Sequence, residues 1–309
     1  MAKNALSPNH RTAKSRGRWL ALSIALALVV ATMAAGVFYV FLPIPRHPEA
    51  YFASRRSTLV EVQETGRSDT DRYTSWEVRL TAASGLTVDL MVRVPAGIRQ
   101  VPAFLILGGY RTGERAAALV DDTGGNLVAA MNYPYSGPID VKGLAVLRHV
   151  PAIRKAILDT PAAVLLALDY LATLPQVDTS RLELVGASFG VPFATIAAAL
   201  DDRVARLWLV HGAGDPLRLL EHNLKRSVPF APARYVVAWL AYHLAAGPVV
   251  RPERWLPRVA PRPVILLNAR EDERLPRPAI EKLHRSAMPP KEEIWLPGSH
   301  VQPNRPEII

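Results

Sequence analysis

"LVGASFG", residues 184–190, runs an apolar segment straight into a pentapeptide of the form G-x-S-x-G. Ser188 is either a nucleophile on a strained turn or one serine in an ordinary strand-to-helix connection. A match to this pattern arises by chance about one time in ten in a chain of this length, so its surroundings decide. "RLELV" (181–185) before it reads as a buried strand, and "FGVPFATIAAAL" (189–200) after it as a helix. In such a turn Gly186 and Gly190 let the two backbones approach closely, while the serine hydroxyl projects from the carboxyl end of the sheet. An alcohol is a poor nucleophile at neutral pH, so this reading requires a base elsewhere.

Further strands flank the motif. "VPAFLILGG" (101–109) and "NLVAAMNYP" (126–134) are continuous apolar runs expected to be buried on both faces. "RVARLWLVHG" (203–212), "RPVILLNA" (262–269) and "EEIWLP" (292–297) follow, with helices expected at about 113–121, 149–174 and 277–287. This alternation implies an α/β fold with a mainly parallel, doubly wound sheet. "TSWEVRL" (74–80) and "TVDLMVRV" (87–94) alternate apolar and polar residues and read as an antiparallel pair at its edge. Residues 214–260 interrupt the alternation as a helical cap, in which Arg234 and nearby prolines argue against a second membrane span. The aromatic residues of 235–242 and of "YPY" (133–135) suit an acyl pocket, although apolar helix faces more often bury, so core is the favoured reading.

Acids follow the 262–269 strand in "VILLNAREDERLP", and a histidine follows the last strand in "WLPGSHVQP". The order Ser188, Asp272, His300 is that of the α/β-hydrolase class. Asp272 would orient the imidazole, and His300 would take the serine proton and return it to the leaving group. Asp215, after "WLVHGAG", is the competing acid. His211 is the alternative imidazole and reads as pocket-lining or structural; "HGAGD" also resembles an oxyanion turn, but comes after the nucleophile in the chain.

Residues from about 72 to 305 resemble α/β hydrolases related to dienelactone hydrolases and acyl-peptide-hydrolase-type esterases. The likeness rests on "PAFLILGGYRTG", "VDTSRLELVGASFG", "PRPVILLNAREDERLP" and "GSHVQP". In that family the acid stands in a G-x-x-D-x-x-V-P context, and "AREDERLP" then selects Asp272 over Glu271, with Ala269 at the usual glycine position. The resemblance also implies an oxyanion hole made by the backbone N–H groups of Phe189 and Tyr110. "LGGY" departs from the family's common "HGG", which leaves the Arg111 N–H as an alternative donor. Val191 stands where many peptidase relatives have another glycine, which weakens the peptidase variant. The short stretch after His300, broken by Pro303 and Pro306, implies that the family's final helix is missing or reduced to "PEII".

At the front, residues 20–42, "LALSIALALVVATMAAGVFYVFL", carry no charge. A helix of this length, rising about 1.5 Å per residue, covers the roughly 30 Å hydrocarbon core of a bilayer. Lys3, Arg11, Lys14, Arg16 and Arg18 all precede it, so the positive-inside rule puts 1–19 in the cytoplasm as a basic tail and exports the rest. "TMAAG" offers a cleavage region, but the apolar run continues through "VFYVFL", favouring a retained single-pass anchor over a signal peptide. Residues 43–60 read as a linker and 61–309 as the hydrolase domain, placed on the periplasmic or extracellular side.

The formal charge of +10 is concentrated in the tail, leaving about +5 on the remainder. No RNP-like pattern, zinc-finger spacing or basic helix supports nucleic-acid binding. There is no cysteine, which removes thiolate nucleophiles and disulfides. The expected activity is carboxylic-ester hydrolysis through an acyl-enzyme, which needs neither metal nor organic cofactor. Acyl transfer, thioester hydrolysis or peptidase action could use the same triad, and a membrane-tethered binding protein could keep the fold without catalysis.

Overall fold

The computed structural model of the chain describes residues 44–301 except 98, 139 and 142, together with residues 23, 24, 26–33, 35 and 36. The chain divides into two units, 1–44 and 45–309. In the first, residues 23, 24, 26–33, 35 and 36 are helical and exposed. Among the described residues no helix is long and apolar enough to cross a membrane. The remainder of the expected 20–42 span lies outside the described residues, as do the basic tail 1–19 and the C-terminal "PEII".

The second unit is built on nine strands: β1 (Leu59–Asp69), β2 (Tyr73–Ala82), β3 (Thr87–Pro95), β4 (Val101–Leu107), β5 (Leu127–Met131), β6 (Val177–Ala187), β7 (Val204–Val210), β8 (Val264–Ala269) and β9 (Lys291–Leu296). They form one sheet in the order β1-β2-β3-β5-β4-β6-β7-β8-β9. Pairing is antiparallel from β1 to β5 and parallel from β5 through β9. The pair expected at 74–80 and 87–94 is β2 and β3, whose inward residues Val78, Leu80, Leu90 and Val92 are buried. β5 is buried along its whole length, whereas β4 alternates buried and half-buried positions rather than being sealed on both faces.

Among the described residues of this unit seven α-helices accompany the sheet: α1 (Pro48–Ser54), α2 (Val150–Leu171), α3 (Val191–Leu200), α4 (Pro216–Asn223), α5 (Ala231–Leu244), α6 (Pro252–Trp255) and α7 (Arg277–Ser286). α2 is the long apolar helix expected near 149–174, and a buried hydrogen bond of 2.9 Å from Trp76 Nε1 to Tyr170 Oη ties it to β2. The helix expected at 113–121 is a 3-10 helix, Gly113–Leu119. The cap comprises α4, α5 and α6, followed by a 3-10 turn at Leu256–Val259.

Three expectations need correction. Residues 43–60 are not wholly a linker: α1 docks on the domain because Phe52 is buried edge-on against Trp255, ring centroids 5.7 Å apart. Arg55 of the same segment is ion-paired with buried Asp159 of α2. β1 was not expected as a strand, and its burial shows why: it is an edge strand exposed at nearly every position, with no alternation to betray it. On α5, Tyr235, Val236, Val237 and Leu240 are exposed and only Ala238 and Tyr242 are buried, so this helix is not the core element its composition suggested.

Candidate active site

Gly186 pairs with Leu107 of β4 on one side and Leu209 of β7 on the other, which puts the end of β6 in the middle of the parallel sheet. The chain then turns sharply into α3. A Cβ on Gly190 would lie 2.2 Å from the Leu107 carbonyl oxygen, and one on Gly186 would lie 2.7 Å from Ala194 Cβ. Both glycines are therefore required by close approach. Ser188 between them has φ +52°, a left-handed conformation that a side-chain-bearing residue adopts at a cost of about 1–2 kcal/mol. The sharp turn presents Oγ at the carboxyl end of the sheet.

His300, four residues beyond β9, is buried and meets this hydroxyl: Nε2 lies 2.8 Å from Ser188 Oγ. Its Nδ1 lies 2.7 Å from Asp272 Oδ2, just past β8. The three residues read from chain order are thus brought into one hydrogen-bonded line. Burial alone would raise the Asp272 pKa, but hydrogen bonds from His211 and His300 outweigh it and hold the carboxyl well below the usual carboxylate range. Asp272 is therefore ionised at neutral pH.

The acid loop and the histidine loop are clipped together. Glu271 N–H donates to the Gly298 carbonyl at 3.1 Å, Gly298 N–H donates to Glu271 Oε2 at 2.5 Å, and His300 N–H donates to Glu273 Oε2 at 2.9 Å. In the sequence Glu271 stands only as a rival for Asp272, and nothing there marks Glu273. Their pairing spans two distant loops and leaves no local pattern. The competing acid, Asp215, does not reach His300. It caps α4 through the Arg218 N–H at 3.3 Å and pairs with Lys282 Nζ at 2.9 Å. His211 does enter the site, with Nδ1 3.1 Å from Asp272 Oδ2.

β4 and β6 are parallel neighbours, so the residues after them emerge side by side: the Tyr110 and Phe189 rings lie edge to face with centroids 6.0 Å apart. Arg111, the alternative oxyanion donor, has its side chain ion-paired with Asp140. A cavity of about 1140 Å³ opens here, lined among others by Tyr110, Tyr133, Tyr135, Phe189 and Phe193. The "YPY" segment therefore lines a cavity. Tyr133 donates to the Gly108 carbonyl at 2.5 Å and packs on Phe189 and Phe193, and burial pushes its phenol pKa up. Among the described residues, His211, Asp272 and His300 are the side chains clustered closely enough to hold a metal ion, and they are already hydrogen-bonded to one another.

No protein-family model matches the chain, and no curated protein does. Solved structures do. An acetyl xylan esterase from Paenibacillus sp. R4 superposes with a TM-score of 0.59 at 18% identity, over 88% of this chain and 91% of that one. Acetyl xylan esterase 1 from Thermoanaerobacterium sp. gives 0.57 at 15% identity, over 84% and 90%. An α/β hydrolase from Penicillium sp. sh18 gives 0.54 at 17% identity, over 74% and 91%. With the strand order and the turn at Ser188, these likenesses establish the α/β-hydrolase fold, built on a mostly parallel nine-stranded sheet.

Proposed function

We propose that this protein is a membrane-anchored serine hydrolase that cleaves carboxylic esters through an acyl-enzyme. The observation that carries the reading is the hydrogen-bonded line Ser188 Oγ, His300, Asp272, with contacts of 2.8 and 2.7 Å. Ser188 Oγ attacks the acyl carbon as its proton passes to His300 Nε2, while ionised Asp272 stabilises the imidazolium. The backbone N–H groups of Phe189 and Tyr110 receive the negative charge on the tetrahedral oxygen; one such donor contributes about 3–4 kcal/mol. The carbon–oxygen bond to the alcohol then breaks, and His300 hands its proton to the leaving group. Water, activated by the same imidazole, releases the acid and restores the serine. Esterases among the structural neighbours are consistent with an ester as substrate.

The test is hydrolysis of short- and medium-chain p-nitrophenyl esters by the full chain in detergent, beside Ser188→Ala. Turnover that disappears in the variant supports the reading. Turnover unaffected by the variant, or failure of the folded protein to react with either esters or a fluorophosphonate probe, overturns it. The anchor is supported by the uncharged 20–42 run and its one-sided basic flank. A reporter fused at the C-terminus should be active only outside the cytoplasm, and cytoplasmic activity would reverse the topology.

A further inference from the structure

Asp272 is held by two imidazoles. His211, at the end of β7, is 1% exposed, and its Nδ1 stands 3.1 Å from Asp272 Oδ2, the oxygen that His300 Nδ1 approaches at 2.7 Å. The two rings meet edge to face with centroids 5.2 Å apart. The other oxygen, Oδ1, accepts the N–H groups of Arg274 and Leu275, each at 2.9 Å. A carboxylate has about four lone-pair sites, and here all four are taken.

The Val301 N–H lies 3.3 Å from the same His211 Nδ1 and would need that nitrogen as an acceptor. A buried, ionised carboxylate 3.1 Å away needs it as a donor. A charge-assisted bond is about twice as strong as a neutral one, so Nδ1 carries the proton and points it at Asp272.

The backbone is strained to place this ring. His211 has φ +49°, a left-handed value unfavourable for a residue with a side chain. It is pinned there by its own N–H, which donates to the Leu267 carbonyl at 2.7 Å, and by the neighbouring Gly212 carbonyl, which accepts from buried Asn268 at 3.0 Å. Asn268 is in turn 2.9 Å from His284 Nε2, so a buried polar network backs the turn. Strain maintained by such a network is a mark of placement for a purpose.

We infer that His211 is a positioning residue of the hydrolase site: by sharing Oδ2 of Asp272 with His300, it fixes the direction of the carboxylate and draws off part of its charge. The inference deepens the serine-hydrolase reading and rests on it. Without the His211 donor, more negative charge stays on the oxygen facing His300, the imidazolium is favoured, and the base form of His300 appears only at higher pH. Other charged and titratable groups around the trio include Glu271, Glu273 and Arg274 on the acid loop, His222 of α4 on the Glu273 carbonyl, and Asp215 with Lys282 and Glu253 beyond the His211 turn. None of these donates to Oδ2, so the His211 variants change that oxygen's hydrogen bonding directly.

The test is the pH dependence of fluorophosphonate labelling at Ser188, measured on the full chain in detergent for wild type, His211→Leu and His211→Asn. Asn tolerates a left-handed φ and places an amide N–H where Nδ1 stands. Leu should move the midpoint of labelling up by about half a unit to one unit, the shift expected for losing one net hydrogen bond, and Asn should restore it. Equal midpoints for Leu and wild type, with only the labelling plateau or the melting temperature changed, would make His211 merely structural and overturn the inference. Should Leu not fold, His211→Gln, whose amide sits one bond farther out, should shift the midpoint as Leu does. If wild type takes no label, the serine-hydrolase reading has failed by itself. The His300 imidazole titration, followed by nitrogen-15 NMR in the same variants, then decides the His211 effect without any turnover.

Discussion

Replacing Asp272 by asparagine keeps the shape of the side chain and removes one acceptor, so its effect can be worked out atom by atom. The carboxylate accepts from two backbone N–H groups on Oδ1 and from two imidazoles on Oδ2. An amide has one acceptor oxygen and one NH₂ group. If the NH₂ turned toward Arg274 and Leu275 it would face two backbone donors that cannot change tautomer. The oxygen therefore stays on that side, and the NH₂ faces the imidazoles. His300 must then carry its proton on Nε2, the atom 2.8 Å from Ser188 Oγ, where it can no longer accept the serine proton. Loss of the competent tautomer in a Ser-His-Asp site lowers kcat about 10⁴-fold, equivalent to about 5 kcal/mol of transition-state stabilisation. Steady-state ester hydrolysis at neutral pH reads this directly, with Asp215→Asn as the companion. Asp215 serves Lys282 and the α4 cap; asparagine caps as well as aspartate and loses only the part-exposed ion pair, so its variant should keep turnover within about threefold while losing less than about 1 kcal/mol of stability. Asp272→Asn within tenfold of wild type, or an equal collapse in Asp215→Asn, would refute this assignment of the acid.

Two further outcomes follow from the turn that bears the serine. Gly190→Ala should lower the melting temperature by about 6–12 °C, the consequence of roughly 3 kcal/mol of overpacking against the Leu107 carbonyl, whereas Gly66→Ala, whose Cβ meets nothing within 4 Å, should change it little; circular dichroism melts that coincide would refute the steric account. Ser188→Gly should melt about 1–3 °C above Ser188→Ala, because glycine relieves the positive φ and the relief exceeds the extra entropy of the unfolded chain; a lower melting temperature for the glycine variant would show that the turn is not strained.

The parts of the site that were legible in the sequence are those governed by local geometry or by chain order. Gly186 and Gly190 announced the turn because only glycine fits where backbones approach to within the distances found here. Asp272 and His300 could be placed because each immediately follows a recognisable strand of a parallel sheet, and such sheets gather function at the strands' carboxyl ends. What escaped was set by tertiary neighbours. β1 is exposed on both faces and shows no period, and α1 looked like linker because one buried aromatic, Phe52, secures so short a helix. The apolar residues of α5 suggested burial, yet Tyr235, Val236, Val237 and Leu240 stay exposed on the helix surface. Glu273 became significant only when the loops after β8 and β9 closed on each other.

The order of the strands also explains why a second histidine belongs here. Ser188 leaves β6 and Asp272 leaves β8, two positions apart in the sheet, a separation of about 10 Å at the usual inter-strand spacing. No direct hydrogen bond can cover that distance, so an imidazole from beyond β9 is folded back over the end of β8 to bridge it. β7 runs through the gap and contributes none of Ser188, Asp272 and His300, yet whatever follows it must pack beneath the bridge and against Asp272. An apolar residue at position 211 would leave one lone pair of a buried carboxylate without a donor, a cost of about 1–3 kcal/mol. A cation would compete with the imidazolium for the same oxygen. A histidine fills the space and supplies one N–H from Nδ1, leaving Asp272 still free to stabilise a charge on His300. On the proposed mechanism, the character of the residue after β7 thus follows from the two-strand gap between Ser188 and Asp272.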